Sequence, residues 1–587
     1  MQRWLALALL GGALSIAACS GTSDPVSPGG SSGASGRPGA GGVAGGGGSS
    51  GVGGMAGAGG TAGAGGVAGG GGSSGVGGMA GAGETGGTGG AGETGGNGGA
   101  GETGGVGGTA GVGGIGGQGG AECMPEVPDA DDDARVFDAA FEWTTAQAVP
   151  ALPVKSYLQA VDVSSDGHVV VVARETSQGS DTLRAARYVP GAGWLAPEVV
   201  ATGIDVFDIP KAAVDADGRV VVVWTENARR KSVSANVYEP DSGWTGTERL
   251  GTEDGYDAWL RDVEFGADGE ALVVLHLRDR MSSIWFSRYV AGHGWEVAAP
   301  TGIQRNVWPK LAANDHGELW LEFPVRDDTE DSPYTRQRWV QQYLGSSNWA
   351  AAVQVSDVPD GSSAFDAKMS VAPDGSVLLA WREPVKVGEH MLRIDLWSAR
   401  FTPDCGWEAP ERIHMPAPEF DSVQEESLAV ATGPAGHAAI GWRERTEDPK
   451  CRCYRWSVRV RRFAPDTGWS DADPISLTNL VSTHDDYEPI IDVSLAVDAE
   501  GNVVATWRQD GRLLPDYINA RVWTNRYLAE EGWGEPTIIS EPGDPRYDFQ
   551  INASMFAPSA ADVLVVWQES VSDTWSVQFS RLSPGTR

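Results

Sequence analysis

Apolar residues in this chain gather into short solid runs rather than helical stripes. Eight runs of about five residues, rich in Val, Ala, Leu and Trp, lie at 169–173, 220–224, 271–275, 319–323, 377–381, 438–442, 503–507 and 563–567. Most follow a glycine turn, as in Val214-Asp-Ala-Asp-Gly-Arg-Val-Val-Val-Val-Trp224. Runs this short, bounded by Asp-Gly, read as β-strands covered on both faces, because a helix needs ten residues or more. The flanking segments 211–214 and 233–238 alternate instead, as half-covered strands do. About twenty residues after most runs comes a Gly-Trp pair, at Trp194, Trp244, Trp295, Trp407, Trp469 and Trp533. Asn348-Trp349 is a degenerate copy, and Glu142-Trp143 stands ahead of the first complete unit. Gly-Trp opens a fourth strand, 244–250 in the second unit.

Successive markers are about 50 to 64 residues apart, a period that points to solenoids or propellers. Four strands per unit with turn chemistry at each corner predict an all-β fold, an eight-bladed β-propeller of four-stranded antiparallel blades. Seven blades is the alternative, should the divergent fourth unit (314–349) fall short of a blade. The last unit has one strand after its run, 575–582, and lacks a Gly-Trp strand, whereas 141–150 is an orphan outer strand. An N-terminal strand completing the last blade closes the ring and removes the exposed edges that invite aggregation.

The first 140 residues have a different composition. Residues 1–19 combine a positive start, a short apolar region and small residues, which is a signal peptide rather than a membrane span of about 20 apolar residues. Ile16-Ala17-Ala18-Cys19 resembles a bacterial lipobox. The resemblance implies cleavage before Cys19, lipidation of that residue, palmitate among the acyl chains, and, with Ser20 following, an outer-membrane lipoprotein on the cell surface or periplasmic side. Residues 20–121 are Gly-rich with too little apolar bulk to offset ordering entropy, so they read as a disordered tether. A coil of roughly 100 residues spans on the order of 50–60 Å. Residues 122–136 form an acidic lead-in, and 137–587 the propeller.

Charge narrows the partners. Against 78 acidic residues stand 43 basic ones, a net charge of −35, which repels phosphate backbones and makes nucleic acid an unsuitable ligand. A monomer is expected, held to the membrane by its lipid. Lipidation uses one of the five cysteines; Cys123, Cys405, Cys451 and Cys453 remain as disulfide candidates with three pairings open. Asp215-Ala-Asp217-Gly218 and Asp498-Ala-Glu500-Gly501 resemble the opening of a Ca²⁺ loop, but calcium takes six to eight oxygens and the turn runs straight into valines. A hairpin turn fits better. No cofactor or metal site is expected, with Ca²⁺ the one ion left open.

Candidate ligand contacts lie in the loops between blades, which repeatedly pair an aromatic with a carboxylate: Phe207 and Asp208, Tyr256 and Asp257 with Trp259, Phe365 and Asp366, Phe420 and Asp421, Asp486 and Tyr487, Tyr547 and Asp548. Trp308 belongs to the same set. Rings stack on sugars and carboxylates accept hydroxyl hydrogen bonds, so a circle of such pairs suits a glycan. The competing account is that the rings cap gaps between blades while Asp closes turns. Lys211, Lys310 and Lys368 hold equivalent places at the start of innermost strands, either facing the channel or as solvated strand-edge charges.

The blades resemble those of sialidase-type bacterial surface propellers over about 440 residues, in architecture only. The Asp box Ser-x-Asp-x-Gly-x-x-Trp is not met, since Asp217 and Gly218 are adjacent, and no Phe-Arg-Ile-Pro segment occurs. No catalytic residue is carried over, and Gly-x-Ser-x-Gly and His-Glu-x-x-His are missing as well. The expectation is a non-catalytic, surface-anchored module binding a glycan or an envelope protein. The alternatives are a glycan-active hydrolase or lyase using funnel carboxylates, and a structural envelope protein.

Overall fold

The computed structural model describes residues 141–587, except 154, 178, 252–255, 267–268, 279–281, 304–307, 315, 330–331, 360–362, 387–391, 417–421, 424–427, 449–452, 477–480, 483–489, 515–516, 541–548, 557–562, 572–573 and 585–587. Eight antiparallel sheets form a ring of eight blades. Their innermost strands are Tyr157–Val163, Lys211–Val214, Ala258–Phe265, Lys310–Ala313, Phe365–Val371, Ala429–Thr432, Ile490–Val497 and Phe549–Phe556. Each lies beside the next, and the last lies beside the first. The fourth unit is a full blade of four strands.

The solid apolar runs are the second strands, and the ring explains why both of their faces are apolar. In Val220–Glu226 the residues Val220, Val222 and Trp224 pack with Val170, Val172 and Leu183 of blade 1. Val221 and Val223 point the other way, into a cluster with Leu260, Val263 and Val273 of blade 3. Alternation persists, but each side of the strand meets another blade. Eight apolar clusters result, one per blade boundary. Full burial of one such side chain contributes roughly 1.5–3 kcal/mol.

Each Gly-Trp tryptophan packs backward onto the preceding blade: Trp194 onto blade 8, Trp244 onto blade 1, Trp295 onto blade 2. It also meets an aromatic of its own third strand, as in Tyr188–Trp194 and Tyr238–Trp244, with centroids 5.6 Å apart in both pairs. Trp143 does the same for blade 8, packing with Val504 and Val522 of blade 7. Its strand Phe141–Trp143 pairs antiparallel with the final strand, Phe141 opposite Pro584 and Trp143 opposite Leu582. A second short piece, Gln147–Ala148, pairs opposite Phe579 and Gln578. The ring is closed by the N-terminal strand.

The fourth strand is more broken than its sequence suggests. Gly243–Trp244 and Glu248–Leu250 both pair with the third strand, separated by Thr245–Thr247. The Asp-Gly turns close one face of the ring, and the glycines are required there: Gly218 has φ +79°, and a Cβ on it would lie 2.7 Å from His168 Nδ1 of the preceding blade. Asp215 spends its carboxylate within this turn, accepting from the Arg219 backbone N–H at 2.7 Å and from its guanidinium. Asp498 accepts likewise from the Asn502 N–H at 2.8 Å. These are turn-closing carboxylates.

The opposite face carries the blade-to-blade loops and the hairpins between second and third strands. Those strands are short in blades 2 and 3, with 7 or 8 residues. In blades 4 to 7 they have 10 to 12 residues, against inner strands of 4 to 8. The loop face is therefore low over blades 2 and 3 and walled over blades 4 to 7. Among the described residues no helix is long and apolar enough to cross a membrane.

Candidate functional site

The channel mouth on the loop face gathers the charged side chains of the innermost strands. Lys211, Asp262, Lys310 and Lys368 occupy one level in four successive blades, opposite Val223, Val274, Glu322 and Ala380 of the adjoining second strands. The same level in blades 1, 6 and 7 holds Ala160, Ala429 and Ser494. One half of the circle is charged and the other is small. A register shift between Leu260 and Asp262, and another between Phe365 and Lys368, bring the blade 3 and blade 5 residues into line.

Bonds across blade boundaries fix this half-circle. Lys211 Nζ donates to Asp262 Oδ1 at 2.7 Å, and the other oxygen of Asp262 accepts from the Leu311 N–H at 2.9 Å. Lys310 Nζ donates to the Ala367 carbonyl at 3.1 Å, beside Lys368. Asp162 Oδ2 accepts from the Val214 N–H at 2.7 Å. Inner strands of neighbouring blades do not share a ladder, so side chains reaching the next backbone take its place. The Lys211 side chain is nevertheless 44% accessible and Lys368 is exposed, because both face the open channel.

These contacts set the charge states. Burial opposes charge on Lys211, but Asp262 outweighs it and holds the ammonium above its usual value. Burial lowers Lys310. Lys368 is pushed down to about 8, first by the Lys310 charge, then by desolvation among the surrounding inner strands and by Lys211, although its side chain stays accessible. Two residues further along the inner strands, burial raises Asp162 to about 7 and lifts Glu264 well above the usual carboxylate range, with Asp162 and Asp262 adding repulsion to Glu264. Burial also raises Asp492 of blade 7, despite Arg508, Arg443 and Lys368.

Aromatic rings surround the low side of this mouth. Phe207 is 49% exposed, Tyr256 41% and Trp308 60%. The Lys231 ammonium sits 3.4 Å above the Phe207 ring, and the Arg261 guanidinium 3.8 Å above Trp308. Arg261 also donates through Nη2 to His276 Nδ1 at 2.9 Å, while its Nε has no hydrogen-bond partner among the described residues. Burial brings Arg261 down to about 10, with Asp208 pulling the other way.

Other sequence candidates lie within the scaffold. Trp259 stacks on the His276 ring, with centroids 5.3 Å apart. Asp257 accepts from the Lys231 N–H at 3.0 Å, and Asp208 from the Ile209 N–H at 3.2 Å. Phe365 lies beneath the Arg382 guanidinium, which pairs with Asp366. Phe420, Asp421, Asp486, Tyr487, Tyr547, Asp548, Cys19, Cys123 and Cys451 lie outside the described residues. Cys453 begins the third strand of blade 6, and Cys405, on the turn face of blade 5, is disulfide-bonded. Among the described residues no three His, Cys, Asp or Glu side chains are grouped to hold a metal ion.

Sequence reasoning passed over the basic partners Lys231, Arg261 and Arg382. A signal existed for the last: Trp381-Arg382, Trp442-Arg443 and Trp507-Arg508 repeat at one place in three blades. Each arginine reaches a neighbouring loop or strand, Arg443 donating to the Ile490 carbonyl at 2.6 Å. The mouth can thus stack planar or sugar-like faces on three exposed rings while offering several cations at one level.

No protein-family model matches the chain, and no curated protein is similar to it. Solved structures with a related arrangement include the polysaccharide lyase Uly1, 12% identical, covering 68% of this chain and 93% of that one, with a TM-score of 0.41. An α-L-arabinanase of Penicillium chrysogenum complexed with arabinobiose is 10% identical over 55% of this chain and 92% of that one, TM-score 0.30. AofleA from Arthrobotrys oligospora is 11% identical over 68% and 90%, TM-score 0.28. The eight blades stand on this chain's own strand pairing.

Proposed function

We propose that the propeller is a non-catalytic binding module taking a glycan at its loop face over blades 2 to 4. A lipid on Cys19 and the Gly-rich stretch would present it at the outer membrane. The observation that supports the glycan is the trio of exposed rings, Phe207, Tyr256 and Trp308, around a mouth walled on its far side by the hairpins of blades 4 to 7. Isolated exposed apolar side chains are ordinary, but several on one concave face mark a binding surface. Each ring offers a flat apolar face at low entropic cost.

The test is retention of the full-length protein on immobilised polysaccharides. Trp308→Ala and Phe207→Ala are expected to weaken retention about tenfold each while leaving the melting temperature unchanged. Wild-type retention by both variants would defeat the proposal. The raised carboxyls of Asp162 and Glu264 support one second reading, an acid or base acting on the same glycan. Release of reducing ends or unsaturated sugars, lost in Asp162→Asn, would replace the binding reading with that one. Incorporation of labelled palmitate, lost in Cys19→Ala, tests the anchor.

A further inference from the structure

Building on that glycan-binding reading, we infer that Lys211, Lys310 and Lys368 form an anion site at the channel mouth, so that the ligand is an acidic glycan bearing carboxylate or sulfate groups. Among the innermost-strand residues at this level, three ammonium groups stand with one carboxylate, Asp262, while Glu322 of the adjoining second strand accepts from Arg338 Nη1 at 2.9 Å. Asp262 is engaged by Lys211 and by the Leu311 backbone, and the one hydrogen-bond acceptor of Lys310 among the described residues is the Ala367 carbonyl. Lys368 has no hydrogen-bond or ion-pair partner among the described residues, although it is accessible from the channel.

Such an arrangement is costly in a protein that gains nothing from it. Like charges gathered in a walled space repel, and the repulsion shows in the depressed Lys368 ammonium. It also runs against the chain's overall charge of −35, which supplies carboxylates in excess to neutralise any surplus lysine. At this level blades 2, 4 and 5 carry lysine, while blades 1, 6 and 7 carry Ala160, Ala429 and Ser494. Asp492, the carboxylate from blade 7 that attracts Lys368, also faces Arg508, with Nη1 3.9 Å from its Oδ2, and Arg443.

Geometry then fits an anionic sugar better than a free small anion. The Arg261 guanidinium covers one face of Trp308 at 3.8 Å, so a ring stacked on the other face would lie close to a second cation. A saccharide lying from Trp308 toward Lys368 would use both. Carboxylates and sulfate esters each accept from ammonium and guanidinium donors, so the chemistry is shared between uronic acids and sulfated sugars.

The experiment uses the full-length protein and compares polygalacturonate, its methyl ester, dextran sulfate and dextran, together with inorganic sulfate alone in a thermal shift assay. Acidic polymers are expected to bind and their neutral counterparts to bind at least about tenfold more weakly. The Lys310→Met/Lys368→Met double variant should lose that preference and the stabilisation by sulfate, while Trp308→Ala should lose affinity but keep the sulfate response. Polygalacturonate without dextran sulfate would assign the carboxylate, and the reverse the sulfate ester. Equal binding of charged and neutral polymers, or a double variant that behaves as wild type, would overturn the anion site and leave the glycan reading standing. A lysine-dependent sulfate response with no polysaccharide retained would sustain the anion site and sink the glycan reading. Neither response would end both.

Discussion

Replacing Phe141 by Ala in the full chain probes whether the ring is held shut by its first strand. Phe141 is 7% exposed and packs with Val563, Val565, Trp567 and Leu582. Its carbonyl accepts from Arg526 Nη1 at 2.9 Å, and three residues on, Thr144 donates its N–H to the Arg581 carbonyl at 2.8 Å. Truncating a buried Phe costs about 3–5 kcal/mol, the transfer free energy plus the cavity left behind. Unfolding entropy near 2.1 cal/mol/K per residue gives roughly 0.9 kcal/mol/K for a domain of roughly 440 residues, so the melting temperature should fall by about 4 °C. Val199→Ala serves as the control, since Val199 is 44% exposed and a surface change of this kind stays within about 0.5 kcal/mol. Scanning calorimetry should show one transition moving as a unit, because the blades share their cores. If Phe141→Ala melts with the control, or if only a minor early transition shifts, the closure carries no weight in the fold.

Other outcomes can be checked alongside. Lys368 should lose its proton through about pH 8, with Lys310, Lys211, Asp262 and Asp492 the charged groups around it, so acidic-glycan affinity should fall about tenfold between pH 7 and pH 9 in binding assays. Asp162 is protonated more readily in the folded protein than in the unfolded chain, so its contribution is fully present below about pH 4 and lost as pH rises through about 7. Melting temperatures at pH 5 and pH 8 should differ less in Asp162→Asn than in wild type. Gly218→Ala combines a φ of +79° with the approach to His168 and should cost about 1–3 kcal/mol by urea titration. Cys405 follows Thr402 on the turn face, whereas the strand Cys453–Ala464 starts at the loop face, a full strand length away. Peptide mapping without reduction should therefore show no Cys405–Cys453 peptide, and finding one would contradict the strand directions.

Much of the architecture was legible because it rests on local rules. Asp-Gly before a valine run fixes a hairpin, and Gly-Trp marks the outer strand wherever the glycine takes positive φ, as Gly243 does at +81°. The missing last strand was countable from Trp143 alone. The mouth was harder to read. Lys211, Lys310 and Lys368 stand out in sequence, but their level relative to Asp262 depends on register shifts that spacing does not reveal. Arg261 and Trp308 are 47 residues apart and meet only because blades 3 and 4 are neighbours. The aromatics themselves look alike on paper: Trp259 lies stacked on His276 while Trp308 faces solvent, and only the fold of their loops separates them.

The closing strand also decides how the molecule would respond to being pulled. Phe141 lies at the end of its strand nearest the Asp-Gly turns, opposite Pro584, while the proposed ligand occupies the far mouth. Tension between a held ligand and the N-terminal chain would run along that strand. Hydrogen bonds of the Phe141–Trp143 pairing would be loaded together in shear, rather than peeled one at a time, so such a pull would have to break the whole seam at once.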